Sequence, residues 1–252
     1  MIAHHDLPPS APGLPACRIA YCHKPAAAGE ATVVFLPGYM SDMAGSKAQA
    51  VLAWTQDIGA GCLLLDYSGC GASSGDFADG SLSLWRDEVL ALIEAHVPGP
   101  VVLAGSSMGG WLMLLVALAL PAGRVRGLLG IAAAPDFTQW GYSPAQQREL
   151  AAGHTVFEPN PYGPEPTPTH ARFWADGQAN LLLGGAIAYD GPVHLLQGQA
   201  DADVPWQTAL DLAAALRSAQ VQVCLVKDGD HRLSREGDIA LILSALRQLL
   251  AA

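Results

Sequence analysis

Ser107 is the residue of this chain best placed by its neighbours to do chemistry. It is the centre of Gly105-Ser106-Ser107-Met108-Gly109, a G-x-S-x-G pentapeptide between the apolar run Val101-Val102-Leu103-Ala104 and a second apolar stretch at residues 111–120. A strand running through such a turn into a helix is a nucleophile elbow, which pushes the serine Oγ out above the sheet. The flanking glycines are required because a Cβ there would collide with the neighbouring strand and helix. Centring the frame on Ser106 would put Ala104 and Met108 at the glycine positions, so Ser106 reads as a structural hydroxyl.

A serine hydroxyl is a weak nucleophile at neutral pH and needs a base, and that base needs an acid to fix its tautomer and stabilise the imidazolium. After an elbow serine the chain order is acid, then histidine. Of the eight histidines, only His231 lies beyond the last strand-like segment, residues 221–227, in the turn Asp228-Gly229-Asp230-His231. His4, His5, His23, His96, His154, His170 and His194 read as surface or core residues. Asp201 and Asp203 both follow the strand-like run at 193–197, and order alone leaves both open. Asp230 adjoins His231 but would point away from its ring. The tetrahedral oxyanion needs two backbone N–H donors, each worth roughly 3 kcal/mol in the transition state. One is that of Met108, the residue after the nucleophile; the other should come from the loop Pro37-Gly38-Tyr39-Met40, which follows a strand at 32–36.

The elements that must hold these groups alternate. Strands are expected at 18–23, 32–36, 62–66, 101–104, 125–133, 193–197 and 221–227, with helices at 47–58, 82–96, the elbow helix, 207–219 and 236–250. Such alternation requires a mostly parallel sheet with helices on both faces, an α/β fold. The pattern breaks after 133. Ser143-Pro144 starts a short helix with a cap and a proline at its first position, and the proline-rich run 157–168 cannot be regular helix. Residues 136–175 read as a small cap inserted in a single domain spanning 1–252. Its aromatics Phe137, Trp140, Tyr142, Phe157, Tyr162, Phe173 and Trp174 either wall an acyl group or simply hold the insert onto the body.

Composition agrees with an enzyme of one domain. The 252 residues are 51% hydrophobic, enough for one sizeable core. Thirteen basic residues against 23 acidic ones give a net charge of −10, and no basic patch invites nucleic acid. Residues 101–120 are as long as a membrane span, about 20 residues, but serines and glycines interrupt them, so no integral membrane segment is expected. The first nine residues have neither a basic start nor an apolar core, so no signal peptide is expected. The cysteines are odd in number, Cys17, Cys22, Cys62, Cys70 and Cys224, which points to a reducing compartment and a cytoplasmic protein. No histidine, cysteine and carboxylate cluster has metal-ligand spacing, and no cofactor or metal is expected.

Gly198-Gln199-Ala200-Asp201-Ala202-Asp203-Val204-Pro205 resembles the G-x-x-D-x-x-V-P loop of α/β-hydrolases, and Asp66-Tyr67-Ser68-Gly69-Cys70-Gly71-Ala72-Ser73 resembles their D-x-x-G-x-G-x-S turn. The first likeness implies that Asp201 is the acid, with Asp203 in reserve; the second is a structural turn. The loop usually opens with His-Gly; here Gln197-Gly198 opens it, a neutral change outside the triad. The family motif His-Gly-x, matched on Pro37-Gly38-Tyr39, implies Tyr39 N–H as the second oxyanion donor.

Residues 36–48, Leu84-Trp85-Arg86, Gly105 to Leu114, Val204-Pro205-Trp206 and Asp230-His231-Arg232 together narrow the resemblance. They are similar to the branch containing palmitoyl-protein thioesterases that also cleave acyl glucuronides such as that of mycophenolic acid, with its bacterial relatives. The branch implies hydrolysis of acyl thioesters or carboxylic esters through an acyl-enzyme, on a small-molecule or acylated-protein substrate. Two other readings stay open at this point: hydrolysis of a lactone, C–C or peptide bond on the same scaffold, and a non-catalytic binding protein.

Overall fold

The computed structural model describes residues 1–9, 16–160 and 163–252. Among the described residues an eight-stranded sheet runs in the order β1 (Ala3–Leu7), β2 (Cys17–Lys24), β4 (Gly61–Leu65), β3 (Thr32–Leu36), β5 (Val101–Ser106), β6 (Val125–Ile131), β9 (Val193–Gly198), β10 (Val221–Val226). Only β1 and β2 run antiparallel to their neighbours; β4 through β10 are parallel. β1 falls on residues where the sequence predicts no strand. It is a half-exposed edge strand whose run His4-His5-Asp6 carries no apolar alternation to find it by.

Every residue of β3, β4 and β5 is buried, which explains why these strands read as continuous apolar runs. Alternate side chains serve two cores. Val34, Leu36, Leu63, Leu65 and Leu103 pack under α2 (Leu82–His96) and α3 (Met108–Ala119). Val33, Phe35, Leu64, Val102 and Ala104 pack under α1 (Ser46–Asp57) and α8 (Glu236–Ala251). Ser81 caps α2, its Oγ accepting from Leu84 N–H at 3.2 Å. The chain steps from β3 to β4 in one direction and then returns past β3 to β5. The sheet's order therefore reverses between β3 and β5, and the crevice at the carboxyl ends of these strands is where an open α/β sheet takes its ligand.

Between β6 and β9 the chain leaves the sheet. It forms α4 (Phe137–Trp140), α5 (Pro144–Ala151), a hairpin of β7 (Val156–Glu158) with β8 (Thr167–Thr169), and α6 (Ala171–Ala179). α5 has the expected start, a capping box of Ser143 with Gln146 and proline in its first turn. The hairpin and α6 were not legible, and residue 175 falls inside α6. The excursion is clasped at its neck: Asp136, in the left-handed region at φ 58°, accepts from Leu182 N–H at 2.8 Å and Leu183 N–H at 2.7 Å. Farther on, α7 (Gln207–Ala215) ends four residues before the expected 219, where Leu216 turns extended and bridges Ile187.

The Asp66-to-Ser73 turn is structural, as expected. Asp66 accepts from Met43 N–H at 2.7 Å and Ala72 N–H at 2.8 Å. Under it Glu88 is 2% exposed and accepts from Ser68 N–H at 3.0 Å, while its Oε1 has no partner. Burial, opposed by that bond, pushes the Glu88 carboxyl up to about 7. The folded state thus holds a proton that the unfolded chain gives up near the ordinary carboxylate pKa of about 4.3. Glu88 is least costly below that value, and its cost grows as pH rises towards 7. Glu88→Gln should therefore raise Tm relative to the parent more at pH 8 than at pH 5, each kcal/mol appearing as about 2–4 °C in a chain of this size. Equal Tm differences at the two pH values, read by calorimetry, would refute the buried-acid account.

Candidate active site

β5 delivers Ser107 at φ 55° and ψ −121°, a strained setting for a residue with a side chain. Its neighbours over-determine it. Ser107 N–H donates to Ile131 O at 2.9 Å, and Ser107 O accepts from Gly110 N–H at 2.8 Å and Ala134 N–H at 3.1 Å. A Cβ on Gly105 would strike the Gly109 carbonyl, and one on Gly109 would strike the carbonyl oxygens of Leu36 and Pro37. Both glycines are needed for the reason the sequence suggests, and Gly109 specifically presses the elbow onto the end of β3.

His231 arrives on the loop between β10 and α8, and Asp201 on the loop after β9. The two loops are tied together, Ala200 N–H donating to Gly229 O and Gln199 N–H to Val226 O, each at 2.9 Å. The result is a chain of bonds: Ser107 Oγ lies 3.0 Å from His231 Nε2, and His231 Nδ1 lies 2.9 Å from Asp201 Oδ2. The Asp201 side chain is fully buried and that of His231 is 15% exposed. Burial alone would raise the Asp201 carboxyl, but hydrogen bonding and charge from His231, with the N–H groups of Val204 and Asp203, outweigh it and hold the group below the ordinary range. Asp203 supplies a backbone N–H to this arrangement, at 2.9 Å from Asp201 Oδ1. Asp230 Oδ1 accepts from Leu233 N–H at 3.0 Å and shapes the turn.

Gln197 is the participant that sequence reading missed. Its change from the usual histidine was read as neutral, yet it is fully buried and its Nε2 lies 2.9 Å from Asp201 Oδ2. Its place four residues before the acid, at the end of an inward strand, was the available signal.

The loop after β3 meets the elbow closely: a Cβ on Gly38 would stand 3.3 Å from Ser107 Cβ. Tyr39 N–H and Met108 N–H have no protein acceptor among the described residues. The Tyr39 ring is wedged between Phe173 and Phe77, with centroids at 4.8 and 5.0 Å, and its hydroxyl donates to Pro168 O at 3.0 Å. The loop after β3 and the excursion are therefore bonded to each other.

A cleft of about 710 Å³ opens over Ser107, within the size range of small-molecule sites. Of the aromatics expected to wall it, Phe137, Trp140 and Tyr142 do. Phe173 does not, because it is 1% exposed within the main core. Trp174 packs beneath the excursion and donates to Thr138 O at 2.9 Å, and Phe157 faces outward at 62% exposure. Tyr162 lies outside the described residues. The insert's aromatics thus divide between wall and anchor. Met40, Met108 and Val204 add apolar surface, while Asp42, Ser46, Lys47, Asn160 and Arg232 make the rest of the lining polar. Asp201, Asp203 and His231 bring ligand-type atoms within 4.8 Å of one another, but two of the three are bonded to each other within the Ser-His-Asp chain.

An open sheet with its reversal at an elbow serine defines a class. The model of the alpha/beta hydrolase family matches residues 33–240, and the chain belongs to that family. Among curated relatives, the mitochondrial palmitoyl-protein thioesterase ABHD10 of Homo sapiens is 35% identical, covering 86% of this chain and 72% of that protein. The Mus musculus protein of the same name is 37% identical over 86% and 74%. Among solved structures, a putative hydrolase from Agrobacterium vitis S4 superposes with a TM-score of 0.91 at 38% identity, covering 99% of both chains. Mouse alpha/beta hydrolase domain-containing protein 10 superposes at 0.86 with 33% identity, over 99% and 98%. The chain is a hydrolase of the thioesterase or esterase type.

One expectation is corrected here. The cytoplasmic assignment does not stand, since these relatives are mitochondrial. Unpaired cysteines argue for a reducing environment, and that property does not single out the cytoplasm. No helix among the described residues is long and apolar enough to cross a membrane.

The Gly109 contact predicts a specific fragility. Gly109→Ala should lower stability by about 1–3 kcal/mol through overpacking and abolish most activity by displacing Ser107. Gly237→Ala, where a Cβ meets nothing within 4 Å, should leave both intact or raise Tm. Comparable melting curves and rates for the two variants would show that the elbow tolerates movement.

Proposed function

We propose that the chain is a serine hydrolase that cleaves acyl thioesters and carboxylic esters through an acyl-enzyme, with Ser107 as nucleophile, His231 as general base and then acid, and Asp201 as its orienting carboxylate. The observation that carries this is the unbroken bonded chain from Ser107 Oγ through both ring nitrogens of His231 to Asp201. As Oγ attacks the substrate carbonyl, its proton passes to His231 Nε2, and the oxyanion is received by the N–H groups of Tyr39 and Met108. Collapse breaks the bond to the thiolate or alkoxide, which takes the proton from Nε2. Water, deprotonated by the same nitrogen, then releases the acid and frees Ser107. Residues 136–175 act as a cap on a single domain, and Phe137, Trp140 and Tyr142 receive the acyl group. The polar part of the cleft suits a hydrophilic leaving group, whether a thiol-bearing protein or a small molecule.

A fluorophosphonate should label Ser107 covalently in the folded protein; a mapped adduct elsewhere, or none, removes the assignment. Ser107→Ala and His231→Ala should each cost several orders of magnitude in kcat, with far less than additive loss when combined. Asp201→Asn should be severe and Asp203→Asn mild, and the reverse ranking transfers the acid role.

Chain length tests the cap. Each methylene buried against the aromatic wall should add up to about 0.8 kcal/mol, about fourfold in kcat/KM, until the cleft is full. Acyl thioesters of medium to long chain should then exceed acetyl thioesters. A profile peaking at acetyl or butyryl would leave a general carboxylesterase.

A further inference from the structure

We infer that Gln197 is a positioning residue for catalysis: through its amide it fills the last acceptor site of the Asp201 carboxylate and so tunes the base strength of His231. The inference rests on the reading of Asp201 as the triad acid. A carboxylate offers about four acceptor sites. Oδ1 accepts from Asp203 N–H at 2.9 Å and Val204 N–H at 2.8 Å, and Oδ2 accepts from His231 Nδ1 at 2.9 Å and Gln197 Nε2 at 2.9 Å. Every site is thereby taken, three of them by groups other than the imidazole.

A second observation concerns the other end of the same amide. Gln197 is fully buried and its Oε1 has no hydrogen-bond partner. The opposite amide orientation is excluded by chemistry, since it would set Oε1 against a carboxylate oxygen. A buried carbonyl left unpaired is a destabilising feature that an apolar side chain of similar volume would not carry. Good packing at the end of β9 therefore does not account for this residue, whereas the bonds from Nε2 do: the one to Asp201 at 2.9 Å is the shortest, with longer ones to Gly198 O and Val204 O at 3.4 Å each.

The consequence follows from where the charge sits. Gln197 draws electron density from the oxygen that also faces His231, so the imidazolium formed when Ser107 gives up its proton is stabilised less than beside a carboxylate without that donor. The amide also fixes the oxygen against rotation about the Asp201 side chain, which keeps the imidazole aimed at Ser107. Gln197 touches neither substrate nor the reacting atoms.

The test is the pH dependence of kcat/KM in the full-length protein, measured with a p-nitrophenyl ester for Gln197→Met, Gln197→His and Asp201→Asn. Gln197→Met removes the donor at similar volume. It should lower kcat about tenfold with KM little changed, and move the acid limb of the profile to higher pH. Gln197→His, which restores a ring N–H donor, should recover most of the rate and return the limb towards its parent position. Should Gln197→Met not fold, Gln197→Leu also removes the donor, and it should move the limb in the same direction. An unmoved acid limb in whichever donor-less variant folds, or a histidine variant as impaired as the methionine one, overturns the inference while a severe Asp201→Asn leaves the triad reading intact. A mild Asp201→Asn removes the triad reading itself.

Discussion

The close approach of Gly109 to the carbonyl oxygens of Leu36 and Pro37 is the constraint on which the rest of the site depends. Two parallel strands are held by their ladder at a fixed spacing, and only a residue without a side chain lets the first turn of α3 sit over the end of β3. That contact leaves Ser107 no relaxed conformation. Its positive φ is sustained by three backbone hydrogen bonds, to β6, to the turn after β6 and to the first turn of α3, so strain at one residue is carried by buried elements of the fold. The same approach brings Gly38 against Ser107 and sets the loop after β3 beside the Ser107 side chain with no dedicated element to hold it.

The catalytic edge is built from separate loops, and each is secured by backbone hydrogen bonds. Asp201 is fixed by the N–H groups of Asp203 and Val204, two and three residues on in its turn, and the His231 loop is fixed to the Asp201 loop through Gly229 O. The excursion is treated likewise. Its neck is closed by the Asp136 carboxylate on Leu182 and Leu183, and its hairpin is joined to the loop after β3 by the Tyr39 hydroxyl. Bonds of this kind cost little conformational entropy because the turn residues are already constrained. They explain how loops can hold a geometry that a rate depends on at the level of an ångström.

How much of this was legible follows from what each signal measures. Alternating strand and helix patterns gave the parallel sheet because β3, β4 and β5 are apolar on both faces. That Ser107, Asp201 and His231 would meet was legible because the elbow has a local sequence, chain order singles out His231, and the likeness of the 198–205 loop chose Asp201 where order left Asp203 open. β1 was not, since a half-exposed edge strand that ends in His4-His5-Asp6-Leu7 buries too little to be patterned. The β7–β8 hairpin was hidden by its prolines, which read as irregular chain though Pro168 sits in β8 itself. Aromatic content marked the insert but could not sort Tyr142, in the wall, from Phe173, in the core. Both are large apolar groups on short helices or turns, and only the packing separates them.

Gln197 illustrates a different limit. A motif comparison treats the position before the loop glycine as a choice between side chains, and by that measure glutamine for histidine is a small change. Physically the two share one property, an N–H donor at the end of a short planar group, and that property is what the Asp201 oxygen meets. The rest of the amide is left over: Oε1 is carried into the interior with nothing to bind. A sequence records the identity of a side chain and is silent on which of its atoms is used, so the functional half of Gln197 and its unsatisfied half become distinguishable only when the carboxylate is seen beside one of them.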